Sequence, residues 1–448
     1  MSQNPFVQLV ARAEVLIAEQ NIPGAAIGLL HDGQTHTAGL GVTSLTNPLP
    51  VTPGTLFQIG SITKTFVGTA LLLLVERGQL DLDTPLRTYL PELRLSDPIV
   101  AEQVTTRHLL THTGGWLGDY FDDVGPGDDA LQRMVAERMP TLPQELPLGS
   151  TFSYNNAGFY LAGRLIEQLT GQTFEAAINQ LIFAPLALTD SLFFPGDVML
   201  RRFAVGHVQY VNGPVVADPW PLARAAHAAG GISSTVGDLL SYAQAHMPGS
   251  ALLSVASRTA MQTPLVSALS ILDHVGLSWF IREVQGIRLI NHNGATNGQI
   301  ASLWIAPDHG FALAILTNAS NGGLLTRPLM LQALEDVLGI SQPDPTPIST
   351  TAEQRAACAG SYTSALSDSR VEATADGLVL HVIPKGGFPL RDSPPPPAPP
   401  PAQIALYSDT CAVITSGGLA GNLIEFGDWR AGRPHWMRLG GRVRLRVE

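Results

Sequence analysis

Apolar residues recur at Phe6, Leu9, Val10, Ala13, Leu16 and Ile17, a spacing of three and four that places them on one face of a helix. Pro23-Gly24 ends that helix. Ala25 to Leu30 and Thr35 to Val42 then read as two strands joined by a turn at His31-Asp32-Gly33. From Ser61 to about residue 245 the pattern is mostly helical, with predicted helices over 66–77, 106–110, 130–138, 157–169, 174–182 and 236–246 and long loops between them. Strand signals return over 275–281, 287–291, 300–306 and 311–317, and a helix follows over 324–338. Strands from both ends of this region flank a helical middle. The expected arrangement is one antiparallel sheet carrying the terminal helices, with a helical lobe inserted between the two strand groups.

The pattern changes at Gln342-Pro343-Asp344-Pro345-Thr346-Pro347, where closely spaced prolines predict a semi-rigid linker over 342–352. Beyond it, short alternating segments such as Val371-Glu372-Ala373 and Leu378 to Val382 are separated by turn residues. The end, Trp436 to Leu439 and Arg442 to Val447, alternates cleanly. The chain therefore divides into 1–341, mixed α+β, and 353–448, a small all-β domain of barrel or sandwich type. Within the latter, the proline run from Pro394 to Pro401 reads as an extended exposed loop.

Composition narrows the function. Of 448 residues 14% are charged and 45% hydrophobic, as expected of a folded chain with a large core. The net charge of -11 is dispersed and no basic run occurs, which argues against a nucleic-acid partner. No segment has the length of a membrane span, and Met1-Ser2-Gln3-Asn4-Pro5 has no basic or apolar leader, so a cytoplasmic protein is expected. The two cysteines, Cys358 and Cys411, are read as free buried thiols. His108 and His112 are four apart, but no acidic or cysteine ligand stands near them in the pattern, and no metal or organic cofactor is expected.

Lysine usage points to chemistry. Among 26 basic residues only Lys64 and Lys385 are lysine. Lys64 follows Ser61 by three positions in Gln58-Ile59-Gly60-Ser61-Ile62-Thr63-Lys64. If Ser61 opens a helix, the two share a face. A desolvated lysine becomes a neutral amine near neutral pH, which arginine cannot do, and such an amine can take the serine proton. The alternative is a capped surface helix. The scarcity of lysine and the apolar run from Phe66 to Val75 favour the nucleophile, because that run sets the pair at the edge of a dry core.

Such a nucleophile needs a second proton-handling group, oxyanion donors and a polar side chain for the substrate. Ser153-Tyr154-Asn155-Asn156 precedes a helical run, and a tyrosine next to a charged lysine would have its pKa lowered. Asn291-His292-Asn293-Gly294-Ala295 ends a strand ahead of Gly298, where glycine lets backbone approach substrate.

The segments Ser61-Ile62-Thr63-Lys64, Tyr154-Asn155-Asn156 and His292-Asn293-Gly294 together resemble the class C β-lactamase family, which includes D-aminopeptidases, D,D-carboxypeptidases and family VIII esterases. Arg107 to Gly115, Ala229 to Thr235 and Asn318 are similar to that family too, so the likeness spans about residues 5 to 340. It implies the β-lactamase/transpeptidase-like fold, a C-terminal β domain like the lipocalin-type barrels of the D-aminopeptidase relatives, and a small-molecule or short-peptide substrate. It also implies Ser61 as acylated nucleophile, Lys64 and Tyr154 as partners in proton transfer, Asn156 as ligand of the substrate amide or of Lys64, and the N–H groups of Ser61 and Ala295, beside Gly294, as oxyanion hole. His292 stands where β-lactamases carry lysine. A mostly neutral imidazole there favours an esterase or a peptidase over a β-lactamase. A second reading is a penicillin-binding fold kept as a non-catalytic scaffold, against which the complete Ser-Lys-Tyr-Asn set argues.

Overall fold

The computed structural model describes residues 4–375 and 377–447; Met1 to Gln3, on which the reading of the N-terminus rests, lie outside the described residues. An eight-stranded antiparallel sheet has the order 34–41, 24–31, 311–317, 299–306, 287–296, 280–284, 274–275, 266–267. The first strand pair thus joins the last strands directly: Ala25 stands opposite Thr317 and Leu30 opposite Ala312.

The central strands read as unbroken apolar runs because both faces are covered. Ala26 and Leu30 of Gly24–His31, with Ala312, Ala314 and Leu316 of Phe311–Thr317, pack toward the helical lobe. Ala25, Ile27 and Leu29, with Phe311, Leu313 and Ile315, pack against Leu9, Ala13 and Leu16 of helix Pro5–Glu19 and Leu325 and Leu329 of helix Gly323–Leu338. The period of two sorts one strand into two cores. Gly28 marks the closest approach of the lobe: a Cβ there would touch Val236 and Leu240 of helix Val236–Gln244 at 3.0 Å.

Two expected strands differ. The apolar run 275–281 breaks into His274–Val275 and Phe280–Val284. Between them Ser278 takes a positive φ and the Gly276 N–H donates to the Trp279 carbonyl at 2.8 Å, so Leu277 and Trp279 turn into the core. The strand expected over 287–291 continues to Thr296 because Gln299–Ala306 pairs with it from Ile290 to Thr296.

Of the two all-β forms expected for the C-terminal region, the barrel is found. Eight antiparallel strands close when Gly360–Thr363 pairs with Arg442–Val447. Its interior, with Leu380, Ile404, Ile414, Phe426 and Met437, is a third core of its own. Helix Ala352–Cys358 precedes it, held by a Thr351/Gln354 capping box. Cys358 and Cys411 are buried and unpaired. Among the described residues no helix is long and apolar enough to cross a membrane.

Candidate active site

Ser61 sits in the 3-10 turn Gly60–Ile62, which runs into helix Thr63–Glu76. The helix is apolar on all sides and buried from Thr63 to Leu74, so Lys64 is carried into a dry environment. Its Nζ lies 3.0 Å from Ser61 Oγ and donates to the Ala229 carbonyl at 2.5 Å. The rings of Tyr154 and Phe159 stand 5.1 and 5.3 Å away. Burial, reinforced by the charge of Arg442 and partly opposed by Asp119, holds the Lys64 pKa well below its ordinary value. A neutral amine with one N–H on Ala229 keeps a lone pair for the serine hydroxyl.

Strand Ile287–Thr296 supplies the opposite wall. Two-residue loops precede and follow it, with pairs Val284–Ile287 and Thr296–Gln299 at their bases. Such pairs are hydrogen-bonded, and the bonding direction alternates along a strand. Odd-numbered residues therefore bond toward Phe280–Val284. That neighbour's pairing ends at Asn291, which leaves the N–H of Ala295 on the open edge facing Gly60 and Ser61. The approach is close enough to demand glycine twice. Gly60 has φ +51°, and a Cβ on it would stand 2.7 Å from the Ala295 nitrogen. A Cβ on Gly294 would fall 1.8 Å from the Ile59 carbonyl oxygen.

Tyr154 lies in the loop ahead of helix Ala157–Thr170, with its hydroxyl toward Ser61 but without a hydrogen bond of ordinary geometry among the described residues. The sequence-based expectation of a lowered pKa is reversed. Burial raises it, and Ser61 and Arg442 only moderate the rise. The phenol is a proton holder at neutral pH. Of the two partners expected for Asn156, Lys64 is not bonded to it: the Asn156 Nδ2 donates to Asp119 Oδ1 at 2.6 Å, whereas Lys64 bonds to Ser61 and Ala229. His292 is buried between Phe280 and Tyr154, with ring centres 5.1 and 6.2 Å away. Its Nδ1–H donates to the Asn293 carbonyl at 2.6 Å, and burial, then the charge of Lys64, lowers its pKa to about 3. The imidazole is neutral, and among the described residues Nε2 has no partner.

Three further residues belong to the site, to none of which the sequence reading gave a role there. His112 stacks on Tyr154 with centres 4.4 Å apart, and its Nδ1 accepts the Asn155 N–H at 3.0 Å. Its partner in the i, i+4 spacing, His108, instead joins the Thr105 capping box. Asp119 is buried and binds both Asn156 and, across 323 positions, Arg442 of the barrel: Arg442 Nε donates to Asp119 Oδ2 at 2.6 Å and Nη2 to Oδ1 at 3.2 Å. The guanidinium also covers the Tyr154 ring, 4.7 Å from its centre. The one legible signal was a strand with arginine at 442, 444 and 446 in a chain otherwise poor in charge.

A half-buried serine, a dry lysine beside it, a buried phenol and a strand-edge amide form the constellation of a serine hydrolase. The chain belongs to the Beta-lactamase family, whose profile matches residues 8–335. It is 31% identical over 345 residues to Penicillin-binding protein 4 of Amycolatopsis lactamdurans, covering 74% of this chain and 90% of that one. The crystal structure of SurE with D-Leu is similar over 99% of both chains, with a TM-score of 0.76 and 26% identity. That of the class C beta lactamase from Rhodobacter sphaeroides matches 74% of this chain and 99% of its own, with a TM-score of 0.61 and 25% identity.

Proposed function

We propose that this serine hydrolase forms an acyl-enzyme on Ser61 and acts on esters or peptide-like amides, as a D-aminopeptidase-like enzyme. The 3.0 Å approach of a fully buried Lys64 to Ser61 carries this reading. Lys64 Nζ takes the hydroxyl proton as Oγ bonds to the substrate carbonyl carbon. The N–H groups of Ser61 and Ala295 receive the oxyanion. Tyr154 passes its phenolic proton to the leaving group as the scissile bond breaks, and is reprotonated from Lys64. Water then attacks the acyl carbon, gives up a proton through the same pair, and Ser61 Oγ leaves with a proton regained.

His292 is the reason for esters and amides rather than β-lactams. A neutral ring offers a hydrogen bond at Nε2 but no fixed charge for a carboxylate. The likeness to SurE, solved with D-Leu, supports a D-configured residue at the site. A panel of short-chain nitrophenyl esters, D-amino-acid amides and a chromogenic cephalosporin tests this. Turnover is expected on the first two classes, and a dominant cephalosporinase activity would overturn it. A fluorophosphonate is expected to add one mass to the native chain and none to Ser61→Ala. The absence of an adduct on the native chain would favour the scaffold reading.

A further inference from the structure

The barrel reaches the site through consecutive residues of one loop. Asp119 holds Arg442. The Tyr120 hydroxyl lies 3.4 Å from Arg391 Nη1, and its ring lies under that guanidinium at 5.7 Å. Phe121 meets Phe388 edge-on, with centres 4.9 Å apart. On the other side of Tyr154 the barrel grips the backbone. The Phe152 carbonyl accepts from Arg438 Nη1 at 2.5 Å, Ser153 Oγ accepts the Val443 N–H at 3.2 Å, and the Gly441 carbonyl accepts the Tyr154 N–H at 2.8 Å. Arg438 is itself buried and paired with Glu425. These contacts run through the motif loop itself, so they bear on catalysis as well as on domain docking.

Building on the proposed function, we infer that the Arg442–Asp119 pair is a positioning element of the catalytic centre: the barrel holds Tyr154 and Asn156 in place and sets the charge balance around Lys64. Arg442 and Asp119 are positioning residues, with no bond to Ser61. The groups that face Lys64 are Tyr154 and Asp119 from loops, His112 from the turn after helix Thr106–Leu110, His292 from the sheet and Arg442 from the barrel. The two histidines are held neutral by burial, which leaves Arg442 and Asp119 as the opposed charges. Removing the cation alone strands a buried carboxylate that favours the protonated amine. Removing both restores the balance.

The test uses the full chain and 4-nitrophenyl acetate, an ester whose acyl group has no charge for Arg442 to bind. In Arg442→Met the acid limb of kcat/KM is expected to move up by about one pH unit, with kcat at least about tenfold lower. In Asp119→Asn the limb is expected not to rise. In the double variant it is expected to return to the native position within a few tenths of a unit. If Arg442→Met does not fold, Arg442→Lys, which keeps the charge, is expected to hold the native limb, and the comparison rests on it and the double variant. A folded Arg442→Met with an unmoved limb, or a double variant shifted as far as the single one, would overturn the inference. Ser61→Ala run alongside separates the two levels: its full activity would refute the nucleophile while leaving the Arg442 comparison readable.

Discussion

The Gly441 carbonyl, in the last hairpin of the barrel, accepts the backbone N–H of Tyr154 at 2.8 Å. A residue of the predicted proton-transfer pair is therefore anchored by a region that the sequence separates from it with a proline linker. The Gly440-Gly441 turn allows this approach: both glycines have positive φ, and a Cβ on Gly441 would press on Ile271 at 2.3 Å.

Lys64→Arg is expected to lower kcat by at least about a thousandfold, because a guanidinium holds the charge but cannot accept the serine proton. Thermal melting checks that the fold survives. Comparable turnover in a folded Arg variant would reduce Lys64 to an electrostatic role. Lys64→Met, without nitrogen, is expected to be equally inactive.

Gly294→Ala places a methyl where the Ile59 carbonyl oxygen stands. Strand and turn must separate, and the Ala295 N–H moves away from the oxyanion position. A loss of about two orders of magnitude in kcat is expected, the scale of one missing oxyanion donor. The KM for a small ester should change less. Unchanged kcat would show that the Ala295 amide takes no part.

Acid should destabilise the protein before carboxylates titrate. Burial lowers the pKa of His292 and of His246 to about 3, and that of His112 well below its ordinary value. The unfolded chain binds these protons near pH 6.5 and the fold does not, so their contribution is complete above that value and is lost as the pH falls toward the folded pKa. Between about pH 7 and about pH 5.5 each ring should cost about 1.3 kcal/mol, roughly 4 kcal/mol for the three. Urea unfolding at the two pH values measures it. In His246→Gln the difference should shrink by about 1.3 kcal/mol, and an equal difference would mean the ring is charged in the fold.

Residues 353–448 are proposed to fold as a separate unit joined by an exposed segment. Limited proteolysis is expected to cut within 342–352, where most side chains face solvent. The released 1–341 fragment should lose activity because Tyr154, Ser153 and Asp119 lose their barrel partners. A fragment of full activity would break the link between barrel and site, and an insoluble fragment beside an unfolded tail would show one cooperative unit.

Local pattern made the sheet strands, most of the helices and the Ser61–Lys64 pair legible, since periods of 2 and 3.6 and an i, i+3 spacing depend on neighbours along the chain. Tertiary structure decided the rest. The run 275–281 looked like one strand because its residues are apolar, and only the core it enters shows that Leu277 and Trp279 fold inward across a turn. The direction of the Tyr154 pKa shift was misread because burial, a property of the whole packing, outweighs nearby charge. Arg442 reads along the chain only as part of an alternating strand. Its meeting with Asp119, 323 positions away, depends on how the barrel docks, and no local period encodes that. What the sequence determined alone was that Lys64 stands beside Ser61, 3.0 Å away in the fold; which charges surround the pair was decided by the fold, because burial and long-range contact exist only once the chain is packed.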